Sequence, residues 1–509
     1  MDTTANNKRI AKNTMFLYFR MILIMGVTLY TSRVILDKLG IEDYGLYQVV
    51  GGVVGMLSFL NGTLSTGTSR FLTFELGTGN TEKLKRTFST AFYVHVILAI
   101  IVIVLMETGG LWFLYNKLVI PPDRLDACFW AFQLSLFTTF IAITQVPYTA
   151  TIMAHERMGI YAYISIFEAL AKLGVCYLLS ITSIDRLVFY AILIAIVQLL
   201  VAAFYRIYSI RKFSETSLLR VFDRNILKSM MGFSGWNIMA NISETLGRQG
   251  VLVLVNMFFS PVVVAAQSIA SQVTGAIGQF VGNFRTAINP QIIKLYASGN
   301  REDSCKLTLD TTIFCFDLIL ILGLPTIVVM EEVMNLWLVE VPAYAVIFTQ
   351  WTIARGILGT FNASFYTPMV AANKIKTNSI AAVFGGIGEF VLLYFVLRMG
   401  AGPMWIQYMA TGAVILFSMF VKPYVLCKEI DYPIKDLLIC YFTCFKILVV
   451  SILLSYLTTF YLNNSLLESL IKFLLVMTSV LISAYLFLPK GYKTKIVDII
   501  YKQIKIKKT

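Results

Sequence analysis

Long apolar stretches separated by short polar breaks run along the whole chain. They predict fourteen helical membrane spans, because about 20 apolar residues are needed to cross the hydrocarbon core. The spans lie near 13–32, 44–66, 89–113, 127–150, 160–181, 187–206, 233–256, 262–284, 309–330, 344–368, 378–397, 403–421, 437–461 and 467–488. The runs are continuous and do not alternate with polar residues, which excludes a transmembrane β-barrel. The pattern therefore predicts an all-α integral membrane protein.

Composition agrees with this fold class and excludes a soluble domain. Of the 509 residues, 58% are hydrophobic and only 14% are charged, whereas soluble domains carry about 25% charged residues. The seven cysteines and two histidines form no metal-ligand pattern, and the sequence predicts no cofactor. No GxxxxGK[ST] motif occurs, so transport would depend on an ion gradient, the membrane potential, a partner or simple equilibration.

Lysine and arginine set the predicted orientation of the spans. The chain carries 42 Lys and Arg against 28 Asp and Glu, for a net charge of +14. With the N-terminus inside, the inner segments hold 30 of these cations and the outer segments hold six, as the positive-inside rule requires. Both termini are predicted to be cytoplasmic, and the positive charge is assigned to inner loops, not to nucleic-acid binding. The basic tail is interpreted equally as an interfacial helix on anionic lipid or as a solvated segment.

Part of the sequence repeats after 220 residues. Gly77-Thr-Gly-Asn-Thr-Glu82 returns as Ala297-Ser-Gly-Asn-Arg-Glu302, each in a predicted basic inner loop. Six spans separate the copies, and an even number gives both halves the same orientation. The predicted domains are a six-helix bundle at 1–210, a second at 211–430, two appended helices at 431–489 and a basic tail at 490–509. Such repeats favour a transporter over a membrane enzyme.

Charged and amide side chains inside the spans are candidate functional groups. A charge at a helix centre costs about 2.5–3.5 kcal/mol on insertion scales, so those that persist usually face a cavity or pair with one another. Glu244 and Arg248 lie four residues apart in span 7, beside Asn237 and Asn241. Their shared polar face predicts a cavity lining, and a structural ion pair between helices is the alternative.

Span 8 carries a polar stripe at helical period. Its members are Ser268, Ser271, Gln272, Gly275 and Gln279. Hydroxyl and amide groups at this spacing suit sugars or water. The alternative is close packing of small residues against another helix.

Other buried charges stand alone. Arg20 in span 1 and Arg355 in span 10 are candidate cavity cations, although Arg20 could also reach the inner surface by snorkelling. Asp317 in span 9 and Glu389 in span 11 are lone acids, interpreted either as proton carriers or as neutral hydrogen-bonded groups.

Two further sets of charges are interpreted as structural. Glu168 and Lys172 in span 5 lie four residues apart without a polar neighbourhood, which indicates a self-neutralising pair. Lys446 and Lys472 lie in the appended helices and are expected to snorkel or pack.

The first two spans contain motifs of a known family. These are Tyr18-Phe-Arg20, Tyr30-Thr-Ser-Arg-Val-Ile-Leu36, Leu39-Gly-Ile-Glu-Asp-Tyr-Gly-Leu-Tyr47, Arg70-Phe-Leu and Glu75-Leu-Gly77. Together with the span number, the repeat and the orientation, they resemble bacterial Wzx-type polysaccharide flippases. That family belongs to the multidrug/oligosaccharidyl-lipid/polysaccharide exporter superfamily.

The resemblance implies a substrate and an action. The substrate would be an oligosaccharide on undecaprenyl diphosphate, moved from the inner to the outer leaflet of the bacterial inner membrane for O-antigen, capsule or exopolysaccharide synthesis. The resemblance implies alternating access without enzymatic chemistry. Its implied partners are the lipid-linked oligosaccharide, membrane lipid, and polysaccharide polymerase or chain-length proteins.

Local chemistry supplies candidates for each part of that substrate. A diphosphate needs cations, and the candidates are Arg20, Arg248 and Arg355. Sugars need hydroxyl and amide partners, and the candidates are Asn237, Asn241, Ser268, Ser271, Gln272 and Gln279. Candidates for ion coupling are Glu244 first, then Asp317 and Glu389.

Three alternative functions stay open. An ion-coupled multidrug exporter of the same superfamily would share the fold and the repeat, but it would more often need acidic groups for cationic drugs. A cell-wall precursor (lipid II) flippase would differ only in substrate. A membrane glycan polymerase or ligase typically needs a sizeable outer loop, whereas the predicted outer loops are short. We therefore predict a transporter and not an enzyme.

Overall fold

A computed structural model confirms the predicted all-α fold. It describes residues 3–57, 59–155, 157–228, 242–243, 245–372, 374–459, 462 and 465–487, without the side chains at 3–20, 59–67, 158, 286, 287, 290, 375 and 466. Every regular element in these ranges is an α-, π- or 3-10 helix.

The α-helices follow one another with short connections. They are α1 (Thr3–Leu39), α2 (Ile41–Gly55), α3 (Phe59–Thr78), α4 (Thr81–Leu105), α5 (Leu111–Asn116), α6 (Leu125–Ala154), α7 (Met158–Leu178), α8 (Arg186–Lys212), α9 (Val251–Phe258), α10 (Pro261–Ala297), α11 (Arg301–Val328), α12 (Met330–Trp337), α13 (Ala345–Ser364), α14 (Tyr366–Ala371), α15 (Ile375–Arg398), α16 (Trp405–Leu416), α17 (Lys422–Glu429), α18 (Ile434–Thr459) and α19 (Leu466–Phe487). Single π-helical turns lie at Met106–Gly110, Leu246–Gly250 and Phe417–Val421.

The long apolar stretches of the sequence correspond to helices, most of them long enough to cross a membrane. Nine helical segments in the described part of the chain are long and apolar enough to cross a membrane, from Thr81–Asn116 to Leu467–Phe487. Each of the fourteen predicted spans coincides with one helix or with consecutive helices wherever its residues are described. Span 233–256 is described almost entirely from residue 245 onward.

The segments predicted as inner loops at 70–88 and 285–306 are helical except at 79–80 and 298–300, so the loops are much shorter than predicted. α3 continues to Thr78 and α4 begins at Thr81, whereas α10 continues to Ala297 and α11 begins at Arg301. The hydropathy pattern marks only the apolar part of each helix. The polar extensions continue because helical hydrogen bonding satisfies their backbone groups.

The repeated motif forms the same corner between helices twice. Gly79 and Gly299 adopt φ of +72° and +85°, a left-handed conformation that glycine adopts without a Cβ penalty. Just before them, Thr78 Oγ1 and Ser298 Oγ each donate to the carbonyl three residues back, at 2.8 and 3.0 Å. Both glycine amides donate to the carbonyl three residues back, at 3.2 Å. The backbone geometry therefore repeats together with the sequence.

Helix starts repeat with the same offset of 220 residues. The pairs are Ile41 of α2 with Pro261 of α10, Thr81 of α4 with Arg301 of α11, and Leu125 of α6 with Ala345 of α13. This order is the one expected for two six-helix repeats followed by α18 and α19, a division that stays a prediction.

By residue contacts, the chain divides into two compact units. Unit 1 comprises Met1–Ser268, Trp337–Ala345 and Ala382–Ile406, and unit 2 comprises Ile269–Leu336, Val346–Ala381 and Gln407–Thr509. Leu72, Phe88 and Tyr148 belong to a buried cluster in unit 1. In unit 2 the Phe361 ring lies 4.5 Å from the Tyr441 ring between centroids. The predicted domain boundaries near residues 210 and 430 follow the repeat and stay a prediction.

The family-like motif Leu39–Tyr47 builds the corner between α1 and α2. Gly40 has φ of +82°, which lets the chain reverse between the helices. A Cβ added to Gly45 would collide with the carbonyl oxygen of Pro261. The Tyr47 ring meets the Tyr190 ring edge-on, with centroids 4.7 Å apart. Packing therefore explains why glycine and tyrosine stand at these positions.

We expect Gly45→Ala to lower the thermal unfolding midpoint of the detergent-purified protein. The added methyl would have to displace backbone atoms, and overpacking of this kind costs about 1–3 kcal/mol. Gly51→Ala in the same helix is the control, because its Cβ would meet no atom of the described part of the chain within 4 Å and alanine favours helix. Equal midpoints for the two variants would contradict the close α2–Pro261 contact.

Candidate functional site

The π-helical turn Leu246–Gly250 is packed on two sides within unit 1. A Cβ added to Gly55 of α2 would lie 3.3 Å from Gln249 Cδ. A Cβ added to Gly250 would lie 2.8 Å from the Phe390 ring of α15. Arg248 precedes both contact residues and has an exposed side chain. Such turns are frequent at functional sites, and this one presents a guanidinium from a well-packed backbone.

Glu389 lies at the same contact between helices. It precedes Phe390 in α15 and is half-buried. Further along the contact, Ser243 Oγ donates to the Ala382 carbonyl oxygen at 2.8 Å. Unit 1 thus packs the π-turn that carries Arg248 against α15, which carries Glu389. These two residues were predicted for different roles.

The polar stripe of α10 is an open helix face. Ser271, Gly275 and Gln279 are exposed, and Gln272 is half-buried beside them. A Cβ added to Gly275 would meet no atom of the described residues within 4 Å, so close packing among those residues does not explain the small residue there. Ser268, at the end of unit 1, differs from the others because it is buried, and its Oγ has no hydrogen-bond partner among the described residues.

Arg355 lies beside the same helix in unit 2. Its neighbour Gly356 faces Thr274 of α10, since an added Cβ would lie 3.6 Å from Thr274 Cγ2. The Arg355 side chain is half-buried. This candidate cation and the helix that carries the stripe are therefore adjacent in one unit.

Asp317 lies in the interior of α11. Its side chain is 5% exposed, and its Oδ1 has no hydrogen-bond partner among the described residues. A buried carboxyl oxygen without a partner is costly. Asp317 therefore remains a candidate for proton or cation coupling.

Several predicted residues lie outside the described part of the chain. Asn237, Asn241 and Glu244 are among them, and so are the side chain of Arg20 and the basic tail 490–509. The predicted pairing of Glu244 with Arg248 thus stays a prediction.

The predicted self-neutralising pair in span 5 is confirmed. Lys172 Nζ donates to Glu168 Oε1 at 2.6 Å. Gln198 Nε2 of α8 donates to the same oxygen at 3.2 Å. With its negative charge balanced by Lys172, Glu168 serves helix packing within unit 1.

Unit 2 contains a buried cation that the sequence did not indicate. Lys422 was counted in an inner loop, but its side chain is only 5% exposed. Its Nζ donates to Asn378 Oδ1 and lies 5.6 Å from the centre of the Tyr366 ring. No carboxylate among the described residues forms an ion pair with it.

Unit 1 contains a similar cation one helical turn from the equivalent position. Arg206 Nη2 in α8 donates to Thr144 Oγ1 at 2.7 Å, and its guanidinium carbon lies 5.7 Å from the centre of the Tyr148 ring. Arg206 also forms no ion pair with a described carboxylate, and its Nε is buried without a hydrogen-bond partner among those residues. At the offset of 220 residues Arg206 aligns with Leu426 and Lys422 with Ala202, so aligning the repeats would not have paired these cations.

An ion cluster, called here the outer clasp, joins three helix starts on the predicted outer side. Arg124 Nε and Nη2 donate to the two oxygens of Asp43, at 2.8 and 2.5 Å. Arg124 Nη1 donates to Asp185 Oδ2 at 2.5 Å. Asp185 also caps α8 by accepting from two backbone amides. Arginine–carboxylate pairs with two hydrogen bonds are among the strongest polar contacts.

The two carboxyl groups of the outer clasp have opposite pKa shifts. Burial raises the pKa of Asp43, and Arg124 offsets only part of that effect. Burial acts in the same direction on Asp185, but hydrogen bonds from Arg124 and the backbone outweigh it and lower the pKa. Asp185 therefore stabilises the fold above the ordinary aspartate pKa, and this contribution is lost as pH falls through its lowered value.

We expect Asp185→Asn to lower the free energy of unfolding by about 1–2 kcal/mol at neutral pH. Asparagine keeps the helix cap, so the loss reports the charge interaction, which partial exposure weakens. Thermal unfolding at several pH values is the measurement, and the gap to the parent protein should close in acid. Asp123→Asn on the neighbouring exposed turn is the control. A gap that does not change with pH would contradict this role.

Comparisons with known proteins establish the fold. No protein-family model and no curated protein sequence matches the chain. A solved structure described as lipid II flippase MurJ in an inward closed conformation matches 93% of this chain and 98% of its own, with TM-score 0.69 and 13% identity.

Transporters of the MOP superfamily match over less of the chain. An inward-facing multidrug resistance MATE family transporter matches 80% of this chain and 98% of its own, with TM-score 0.63 and 14% identity. A MOP superfamily transporter from Pyrococcus furiosus, described as having a binding pocket of reversed polarity, matches 81% and 95%, with TM-score 0.57 and 14% identity. The chain therefore has the fold of MOP-superfamily transporters and flippases.

Proposed function

We propose that this chain is a flippase for an undecaprenyl-diphosphate-linked oligosaccharide. It moves the headgroup from the inner to the outer leaflet of the bacterial inner membrane by alternating access. The observation that carries this proposal is the presence of a cation in each repeat, the half-buried Arg206 and the buried Lys422, without an ion-pair partner among the described carboxylates. Such cations are costly in a membrane protein unless an anion compensates them, and a diphosphate is such an anion.

Further features suit the rest of that substrate. The open face of α10 offers Ser271, Gln272 and Gln279 to sugar hydroxyls. Arg248 and Arg355 add positive charge on well-packed elements. The prenyl tail can stay in the bilayer during transfer, so the protein needs to enclose only the headgroup.

The comparisons also favour a flippase over a drug exporter. The lipid II flippase structure matches 93% of this chain, whereas the MATE structure matches 80%. About a fifth of the chain therefore lacks a counterpart in that exporter. The cargo itself is left to the experiment, which identifies the sugar.

The first test is deletion of the gene, followed by mass spectrometry of two pools. Lipid-linked oligosaccharides should accumulate in extracted lipid while one surface polysaccharide is lost, and the accumulated sugars identify the substrate. An assay of leaflet location then separates a block in translocation from one in polymerisation. Unchanged pools with increased drug susceptibility would contradict the flippase.

Single substitutions test the cations. We expect Lys422→Met and Arg206→Met to reduce export of the surface polysaccharide at least about tenfold, with membrane levels and thermal stability retained. Replacing charged groups in a protein interior by well-packed apolar side chains is often neutral or stabilising. We therefore expect both variants to lose export without losing thermal stability.

Lys446→Met is the matched control, because this lysine lies exposed in the appended helix α18. It should leave export unchanged. Full export by both Lys422→Met and Arg206→Met would remove these cations from the substrate path.

An ion-coupled drug exporter is the second candidate function. The buried Asp317, with an oxygen that lacks a partner, favours it, as does the likeness to a MATE transporter. Asp317→Asn should then sensitise cells to cationic drugs. A loss of glycan export in Asp317→Asn without a change in drug susceptibility would instead place this acid in the coupling of the flippase.

A further inference from the structure

Unit 2 contains a cleft at one end of three membrane helices, here called the α11/α18 cleft. It has a volume of about 660 Å³ and lies where α11 and α18 begin and α19 ends. Where the structure describes them, the residues predicted for the transported substrate do not line it. Its volume is within the range of small-molecule sites.

The polar part of the cleft carries charges of both signs. Two cations, Arg301 and Lys306, stand on the first turns of α11. The acids outnumber them and are Glu302, Asp310, Asp431 and Asp436. An excess of carboxylates disfavours a purely anionic ligand, such as the diphosphate of the proposed cargo.

The remaining wall of the cleft is apolar. Leu309 and Ile313 of α11 and Ile439 of α18 line it, together with Phe487 at the end of α19. A ligand of this cleft therefore has a polar head with both charges and an apolar chain that follows the helices.

The turn that carries the central acid is fixed in place. Asp431 adopts φ of +61°, a left-handed conformation that aspartate and asparagine tolerate. The next residue, Tyr432, donates through its hydroxyl to Thr308 Oγ1 of α11 at 3.1 Å. The Tyr432 amide donates to the Leu426 carbonyl at 3.2 Å. These two bonds hold the turn that places Asp431 at the cleft.

We propose that the α11/α18 cleft binds a zwitterionic phospholipid with a primary ammonium headgroup, as in phosphatidylethanolamine. The ammonium donates hydrogen bonds to Asp431 and Asp436, and the phosphate lies against Arg301 and Lys306. The charged ends of apolar helices stand at the membrane surface, where phospholipid headgroups lie. A choline headgroup has no N–H to donate, and a glycerol headgroup has no positive charge.

Native mass spectrometry of the detergent-purified full chain tests this site. The lipids are phosphatidylethanolamine, phosphatidylcholine and phosphatidylglycerol with identical acyl chains. We expect about tenfold stronger retention of phosphatidylethanolamine than of the other two, as for loss of a charge-assisted hydrogen bond. The double variant Asp431→Asn with Asp436→Asn should lose this preference. Asparagine tolerates the left-handed turn, so the variant should unfold at the parent temperature.

Glu331→Gln is the matched control, because this exposed acid begins α12 at the far end of α11. It should keep the preference. Equal retention of the three lipids would reduce the cleft to ordinary lipid contact and overturn the proposal. A preference for phosphatidylglycerol would also overturn it.

A second measurement identifies the occupant directly. A photo-crosslinking amino acid at Thr443, in the full chain reconstituted in vesicles of phosphatidylethanolamine and phosphatidylglycerol, should yield adducts with the mass of phosphatidylethanolamine. Adducts only with residues 488–509 of the chain itself would show that the basic tail fills the cleft and would overturn the lipid assignment. Neither result depends on the transported cargo, so this test is independent of the proposed function.

Discussion

The close approach of α2 to residues 249–261 constrains much of unit 1. Glycines on α2 make it possible, with Gly45 against Pro261 and Gly55 against Gln249. Apolar burial drives little association between helices in a membrane, so close backbone contact through small residues has to replace it. The contact holds the π-turn and thereby positions Arg248. Near the other end of this segment, Asn256 and Val119 exchange two hydrogen bonds. The glycine-rich face of α2 thus explains part of the Leu39–Tyr47 motif and also positions the candidate residue Arg248.

The two repeats share backbone geometry but differ in side-chain chemistry. The corners at Gly79 and Gly299 make corresponding hydrogen bonds, whereas only the first corner carries the ion pair between Lys83 and Glu75, at 2.8 Å. Asn80 accepts from the Lys83 amide, but Asn300 makes no such cap. A backbone corner depends on φ and helix hydrogen bonds, which glycine secures alone. Side chains around it can therefore diverge, which is how one duplicated fold comes to carry different charges in its two copies.

The charges of this protein fall into classes that differ in their compensation. Glu168 and Lys172 neutralise each other within one helix, and the outer clasp neutralises Arg124 between helix starts. Among the described residues, Arg206 and Lys422 instead contact hydroxyl, amide and aromatic groups. Removing a cation from water is costly unless an anion lies beside it. Cations of this last class are therefore the ones whose charge an anionic cargo would compensate. The α11/α18 cleft differs again, since its excess of acids suits an ammonium.

The sequence by itself determined the all-α fold, the repeat, the helix order and the Glu168–Lys172 pair. These depend on hydropathy, on a 220-residue offset and on helical spacing, all of which are local properties of the chain. The tertiary structure alone decided which charges are buried and what they meet. Arg124 reaches carboxylates 81 and 61 residues away, and Lys422 lies beside a residue 44 positions earlier. Hydropathy assigned Lys422 to a loop because it measures the polarity of a residue, whereas burial depends on distant elements that fold around it.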